Sequence, residues 1–220
     1  MKNIKAIIFD AYGTLFDVNS AAEKCKEKIG DKWEAFANYW RTTQLEYTWL
    51  RSLMKRHKDF WQVTEDSLDK SMKVFNIDSS MRDELLDLYK ILSPYSEVPE
   101  VLKSLKNKKY KISILSNGTP SLLNTLVKGN NLENLFDDIF SIEEVGIYKP
   151  DSKVYDMPIK KYKIKNNEVT FLSANTWDVS GGGNYGFNSI WVNRNNNIFD
   201  NLDYRPKHEI KSLEQLLNLI

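Results

Sequence analysis

The chain holds a single cysteine, Cys25, and two histidines, His57 and His208. One thiol cannot close an intramolecular disulfide, and it excludes a metal cage built from cysteines. The histidines stand apart, outside any spacing that zinc sites use. Charge of one sign is equally scarce: 31 basic and 30 acidic residues leave a formal net charge of +1. Such a balance points to neither a nucleic acid nor an anionic membrane surface as partner. No apolar run approaches the roughly 20 residues of a membrane helix. The apolar run at residues 6–9 stops at Asp10, too short for the core of a secretory signal. The expected compartment is the cytoplasm.

What is present is ordinary globular material. At 220 residues with 41% hydrophobic content, the chain can bury one α/β core, with or without a smaller insert. Short apolar, β-branched runs predict strands at 4–9, 110–115, 169–172 and 189–192, with a weaker one at 139–142. Helical patterns at 98–106, 120–127 and 153–162 alternate with them, although Pro158 predicts a kink or boundary in the last. Such alternation predicts an α/β fold with a parallel, doubly wound sheet. Residues 17–95 read differently. Leu45, Trp49, Leu53 and Met54, then Phe60, Leu68, Met72 and Phe75, then Leu85, Leu86, Leu88 and Tyr89 recur at helical spacing. A helical bundle inserted after the first strand is expected, so that 1–16 and 96–220 form the core and 17–95 a cap.

Ligands of open α/β sheets bind beyond the carboxyl ends of the strands. Three predicted strands deliver polar residues to that edge: Asp10 with Thr14, Ser116 with Asn117, and Ser173 with Asn175 and Asp178. Lys149 lies in a Tyr148-Lys149-Pro150-Asp151 loop able to reach the same place. A carboxylate, a lysine, hydroxyls and a second carboxylate in one place suit covalent catalysis by an aspartate. Other features read as structural. Asp17 is expected to cap the first cap helix. Arg51 and Arg56 are expected in solvent or paired with acids such as Glu46, and Trp40 and Trp49 in the cap core or its interface. Cys25 reads as an inert helix residue. The Gly181-Gly182-Gly183 run lacks the Lys-Ser/Thr of a phosphate loop and is expected to be a loop or a close-packed helix start.

Phe9-Asp10-Ala11-Tyr12-Gly13-Thr14-Leu15, Leu115-Ser116-Asn117-Gly118, Lys149-Pro150 and the late Asp178 resemble the motifs of the haloacid dehalogenase superfamily. Trp40-Arg41, the run Gln44-Leu45-Glu46-Tyr47-Thr48-Trp49-Leu50-Arg51, and Ser173-Ala174-Asn175-Thr176-Trp177-Asp178 are similar to signatures of its L-2-haloacid dehalogenase family. The resemblance runs over nearly the whole chain and implies a Rossmann-like core with a helical cap. It also implies hydrolysis of short L-2-haloacids to 2-hydroxy acids, without metal or cofactor, by a homodimer. Asp10 would displace halide and form an ester. Arg41 and Asn117 would receive the halide, and Ser116 with nearby backbone N–H groups would hold the substrate carboxylate. Lys149, helped by Tyr155 and Thr14, would keep Asp10 charged and oriented. Asp178, near Ser173 and Asn175, would activate water. Ala11, Tyr12, Leu45, Phe60 and Trp177 would line the pocket around the alkyl group.

The chain departs from that pattern at Thr42, at Ala174 and in the Gly181–Gly183 run, which is more flexible than the usual alanine-containing stretch. Thr42 stands where a glutamine commonly follows the arginine, with an expected effect on the pocket wall. Ala174 stands where a serine is common. Tyr12 occupies the place where the superfamily's phosphatases resemble one another in carrying a second aspartate beside Mg²⁺. Phosphoryl transfer depends on that acid and on metal-held oxygens. The rival readings are ring opening of azetidine-2-carboxylate, fluoroacetate hydrolysis, a Mg²⁺-dependent phosphatase, and a non-enzymatic binding protein on the same fold.

Overall fold

The computed structural model describes residues 3–220. Six strands, β1 (Ala6–Phe9), β2 (Lys111–Ser116), β3 (Asp138–Ser141), β4 (Val169–Ser173), β5 (Asn188–Val192) and β6 (His208–Ile210), form one sheet in the order β3-β2-β1-β4-β5-β6. Every pair is parallel. The predicted strands fall on β1 to β5 with ends displaced by a residue or two. β6 carries no apolar run, only His208-Glu209-Ile210, and it forms at the sheet edge against β5. All four residues of β1 and all five of β4 are buried, as a sheet covered on both faces requires.

Between β1 and β2 lie α1 (Ser20–Lys24), α2 (Lys26–Ile29), α3 (Trp33–Leu53), α4 (Phe60–Phe75) and α5 (Arg82–Tyr89). Phe36 meets Phe75 at one end of α3, and Gln44 meets Thr64 further along, so α3 and α4 run antiparallel. Asp59 caps α4 by accepting from the Gln62 N–H at 2.9 Å. The chain leaves and re-enters the sheet region through paired segments. The Asp17 N–H donates to the Ser93 carbonyl at 2.9 Å and the Tyr95 N–H to the Leu15 carbonyl at 3.0 Å.

Several expectations need correction. Leu53 and Met54 are exposed, at 80% and 61%. The buried face of α3 is instead Phe36, Ala37, Trp40, Thr43, Gln44 and Thr48. Arg51 pairs with Asp66 rather than Glu46. Asp17 is not the cap of α1, whose N-cap is Asn19; its carboxylate, two residues earlier, accepts from the Asn19 N–H at 3.0 Å. Cys25 sits buried at the junction of α1 and α2. His57 is not isolated, because its Nε2 lies 2.9 Å from Glu143 Oε2 and ties the loop before α4 to the core side.

The remaining helices flank the sheet: α6 (Val98–Asn107), α7 (Pro120–Gly129), α8 (Ser152–Tyr162) and α9 (Thr176–Tyr185). α8 runs through Pro158 without ending there. Val154, Tyr155, Met157 and Pro158 are all buried, and that packing holds the helix across one missing N–H. The three glycines lie inside α9 rather than in a loop. They admit close neighbours: a Cβ on Gly182 would lie 2.7 Å from the Phe171 ring, and Cβ atoms on Gly181 and Gly183 would strike Tyr155 and Tyr204. Among the described residues no helix is long and apolar enough to cross a membrane.

Candidate active site

The carboxyl end of β1 releases Asp10 into a tight turn. Gly13 has φ of 83°, a left-handed conformation that glycine adopts without strain. The turn folds back so that the Ala11 carbonyl accepts from the Leu15 and Phe16 N–H groups at 2.9 and 3.0 Å. Thr14 is thereby placed beside the aspartate, and its hydroxyl donates to Asp10 Oδ2 at 3.1 Å.

The end of the adjoining strand β4 and the N-cap residue of α9 supply two more donors to the same oxygen. Ser173 Oγ lies 3.3 Å and Asn175 Nδ2 2.8 Å from Asp10 Oδ2. The other oxygen, Oδ1, has one partner among the described residues, Lys149 Nζ at 3.2 Å. Three neutral donors therefore hold one edge of the carboxylate, while the opposite edge is engaged only by a cation. Asp10 is 5% exposed and Lys149 1%.

Lys149 Nζ also donates to Asp178 Oδ2 at 2.9 Å, and Asp178 Oδ1 accepts from the Tyr155 hydroxyl at 2.8 Å. Tyr155 thus reaches Asp178, the second partner of Lys149, rather than Asp10 directly; the space it fills is the one Gly181 leaves open. Burial opposes charge on the Lys149 ammonium, but the Asp10 and Asp178 carboxylates outweigh it and hold its pKa raised. Burial also raises the Asp178 carboxyl above the ordinary carboxylate range, against the pull of Lys149 and with the help of nearby Asp10. The Tyr155 phenol is raised well above its usual value, first by burial and then by Asp178, so it stays a neutral donor.

The loop after β2 brings Ser116 and Asn117, both buried. Asn117 Oδ1 accepts from the Lys149 N–H at 3.1 Å, so its Nδ2 donors face elsewhere. Ser116 Oγ accepts from the Gly118 N–H at 3.1 Å and keeps its proton for another acceptor. Tyr12 lies flat against Gly118, where a Cβ would come within 2.8 Å of the ring. Its ring centroid is 5.2 Å from Phe60 and 5.7 Å from Tyr89. Its buried hydroxyl has no partner among the described residues. Trp177 packs edge-on against Trp49 of α3, at 5.4 Å, and so meets the cap. Leu45 is half-buried on α3, one helical turn beyond Arg41.

Arg41 lines a cavity of about 240 Å³ together with Gly13, Asp17, Ala174 and Asn175. The cap arginine and the Asn175 amide that touches Asp10 thus share one space. Thr42 is exposed and is not among the residues that line this cavity. Ala174 contributes its N–H, donated to Thr14 Oγ1 at 2.8 Å, and that bond is independent of the side chain at 174.

Two contributors were not singled out from the sequence. Arg194 Nη2 donates to the Thr14 carbonyl at 2.9 Å, while its Nη1 pairs with Glu97 at 2.7 Å and the guanidinium stacks 3.7 Å over Tyr95. Its signal was its position: it follows a predicted strand at the same carboxyl edge. Gln44, buried on α3 beside Arg41, stood only as part of a family-like run, because a buried glutamine looks like any polar helix residue. Among the described residues no group of three or more His, Cys, Asp or Glu is placed to hold a metal ion.

Comparisons with known proteins agree with this geometry. The model of the haloacid dehalogenase-like hydrolases matches residues 4–186. An (S)-2-haloacid dehalogenase of Pseudomonas sp. strain YL is 39% identical, over 100% of this chain and 95% of its own length. One from Burkholderia cepacia, (S)-2-haloacid dehalogenase 4A, is 37% identical over 99% and 95%. The structure of L-2-haloacid dehalogenase from Xanthobacter autotrophicus with chloropropionic acid covalently bound superposes with a TM-score of 0.91 at 31% identity, covering 98% of each chain. The chain therefore belongs to the haloacid dehalogenase-like hydrolases and, within them, to the L-2-haloacid dehalogenase family.

Proposed function

We infer that the protein is an (S)-2-haloacid dehalogenase that converts short 2-haloacids to 2-hydroxy acids through an ester on Asp10. The observation that carries the mechanism is the unequal use of the two Asp10 oxygens. Oδ1, held only by Lys149, attacks the carbon that bears the halogen. The new C–O bond forms as the C–halogen bond breaks in line, with inversion, and the halide leaves with the bonding pair. Arg41 and the free Nδ2 of Asn117 receive it. The Ser116 proton faces the substrate carboxylate.

In the second step water attacks Asp10 Cγ and gives its proton to Asp178. The tetrahedral oxygen that develops is Oδ2, which already has Thr14, Ser173 and Asn175 as donors, a ready-made oxyanion hole. Collapse breaks the ester C–O bond, Asp178 returns the proton to the departing alkoxide, and Asp10 sheds its own proton to solvent. Lys149 bridges both carboxylates and keeps the pair compatible in a dry site. Ala11, Tyr12, Leu45, Phe60 and Trp177 form the wall that excludes bulk water.

Core and cap divide at the paired segments near residues 16–17 and 93–95. A homodimer is the proposed assembly, for which the exposed Leu50, Leu53 and Met54 at the end of α3 offer an apolar surface; sedimentation at the monomer mass would refute it. The proposed compartment is the cytoplasm, where a lone thiol such as Cys25 stays reduced.

The test is halide release from L- and D-2-chloropropionate without added metal, by wild type and Asp10→Asn. Release from the L form alone, lost in the variant, is the expected result. Release from neither form, nor from bromo or fluoro analogues, overturns the reading.

A further inference from the structure

Arg41 has one hydrogen-bond partner among the described residues: its Nη1 donates to Gln44 Oε1 at 2.9 Å. Gln44 is 1% exposed. Its Nε2 donates to Thr64 Oγ1 at 2.7 Å and to the Tyr89 hydroxyl at 3.1 Å. The amide cannot turn over. Thr64 already donates its own proton to the Phe60 carbonyl at 2.7 Å, so toward Gln44 it only accepts. The nitrogen must face Thr64, and the oxygen must face Arg41.

The anchors are themselves fixed. Trp40 Nε1 donates to the Thr64 carbonyl at 3.1 Å, and the Tyr89 ring lies between Trp40, at 5.4 Å, and Tyr12, at 5.7 Å. A chain of contacts thus runs from the residue two after the nucleophile, through Tyr89 and Gln44, to the cap arginine.

The partner's charge is the informative part. The other half-buried arginines, Arg51, Arg82 and Arg194, each pair with a carboxylate, whereas the exposed Arg205 meets only the Asn201 amide oxygen and a backbone carbonyl among the described residues. Arg41, the arginine that the cap presents to the site, is held by a neutral amide. A neutral acceptor orients a guanidinium and leaves its full positive charge for an incoming anion, whereas a carboxylate would cancel it.

We propose that Gln44 is a positioning residue for the leaving group: it holds Arg41 aimed, and uncompensated, for the departing halide. The proposal rests on the reading of Arg41 as a halide receiver. A misaimed arginine slows the carbon–halogen step selectively, and most for the poorer leaving group.

The experiment is single-turnover halide release from L-2-chloro- and L-2-bromopropionate by wild type, Gln44→Met, Arg41→Ala and the double variant. Gln44→Met is expected to slow chloride release by about 10- to 100-fold, the scale of a misplaced reacting geometry, and bromide release by less. In the Arg41→Ala background the same change is expected to shift the rate less than about twofold, because coupled residues fail to add. Wild-type rates in Gln44→Met, equal losses on both halides, or a full additional loss in the double variant would overturn the proposal. Wild-type chloride release by Arg41→Ala would instead overturn the halide-receiver reading itself. Should Gln44→Met not fold, Thr64→Val removes the acceptor that fixes the amide at nearly constant volume. It must then show a several-fold loss with the same bias toward chloride, and a uniform loss refutes the role.

Discussion

Asp10 has a structured edge and an open edge, and the difference divides the reaction between its two oxygens. Three donors on Oδ2 stabilise charge that builds there when the ester is attacked, while Oδ1 beside Lys149 is left to form the bond to carbon. The second carboxylate has a separate task. If Asp178 serves only the ester, Asp178→Asn should release about one equivalent of halide in a burst and then stall with substrate on Asp10, visible as a mass increase of the intact protein. Steady turnover by that variant would move the base elsewhere. The sign of the pH dependence follows from the same residue. A base must be deprotonated, and burial holds the Asp178 carboxyl above the ordinary range, so kcat should fall on acidification at a higher pH than an ordinary carboxylate would give. The raised Lys149 ammonium keeps its proton into the alkaline range, so no matching loss from Lys149 is expected near pH 9. A pH profile of wild-type kcat, carried from the acid range into the alkaline, checks both statements.

Elements were legible where a run of apolar residues met a polar edge. β1, β2 and β4 end in the residues that carry the site, so the strand rule found Asp10, Ser116, Asn117, Ser173 and Asn175 together. The rule failed where burial is not apolar. α3 buries Thr43, Gln44 and Thr48, and leaves Leu53 and Met54 in solvent, so its hydrophobic pattern pointed to the wrong stripe. β6 is three residues at an edge and depends on β5 rather than on its own composition. The glycine run of α9 reads as a loop or a close-packed helix start because helix propensity disfavours it; close approach of Tyr155, Phe171 and Tyr204 is what the glycines provide, in mid-helix rather than at its start. Gly181→Ala should therefore act on chemistry as well as stability. Its methyl would displace Tyr155 from Asp178 and cost about 1–3 kcal/mol as an overpacked contact. Ester hydrolysis should slow more than halide release, and comparing burst and steady-state rates would show it. Equal slowing of both steps would mean that the glycine matters only for packing.

At the scale of the whole molecule, the site closes where cap meets core. Trp49 meets Trp177, the Tyr148 hydroxyl donates to the Lys58 carbonyl at 2.6 Å, and His57 meets Glu143. None of these contacts was legible from local sequence, since each joins residues far apart in the chain. The same view bears on the departure at residue 42: Thr42 is exposed, so Thr42→Gln should leave KM for L-2-chloropropionate within about twofold, within the range of ordinary surface substitutions. A larger change would place residue 42 in the pocket wall after all. The central claim is that Asp10 gives one of its own oxygens to the product. The direct test is a single turnover of L-2-chloropropionate in H₂¹⁸O with enzyme in excess. Unlabelled 2-hydroxypropionate, with the label found in the Asp10 peptide, is the predicted result; label in the product after that first turnover would mean that water attacks the substrate carbon, and would contradict the account.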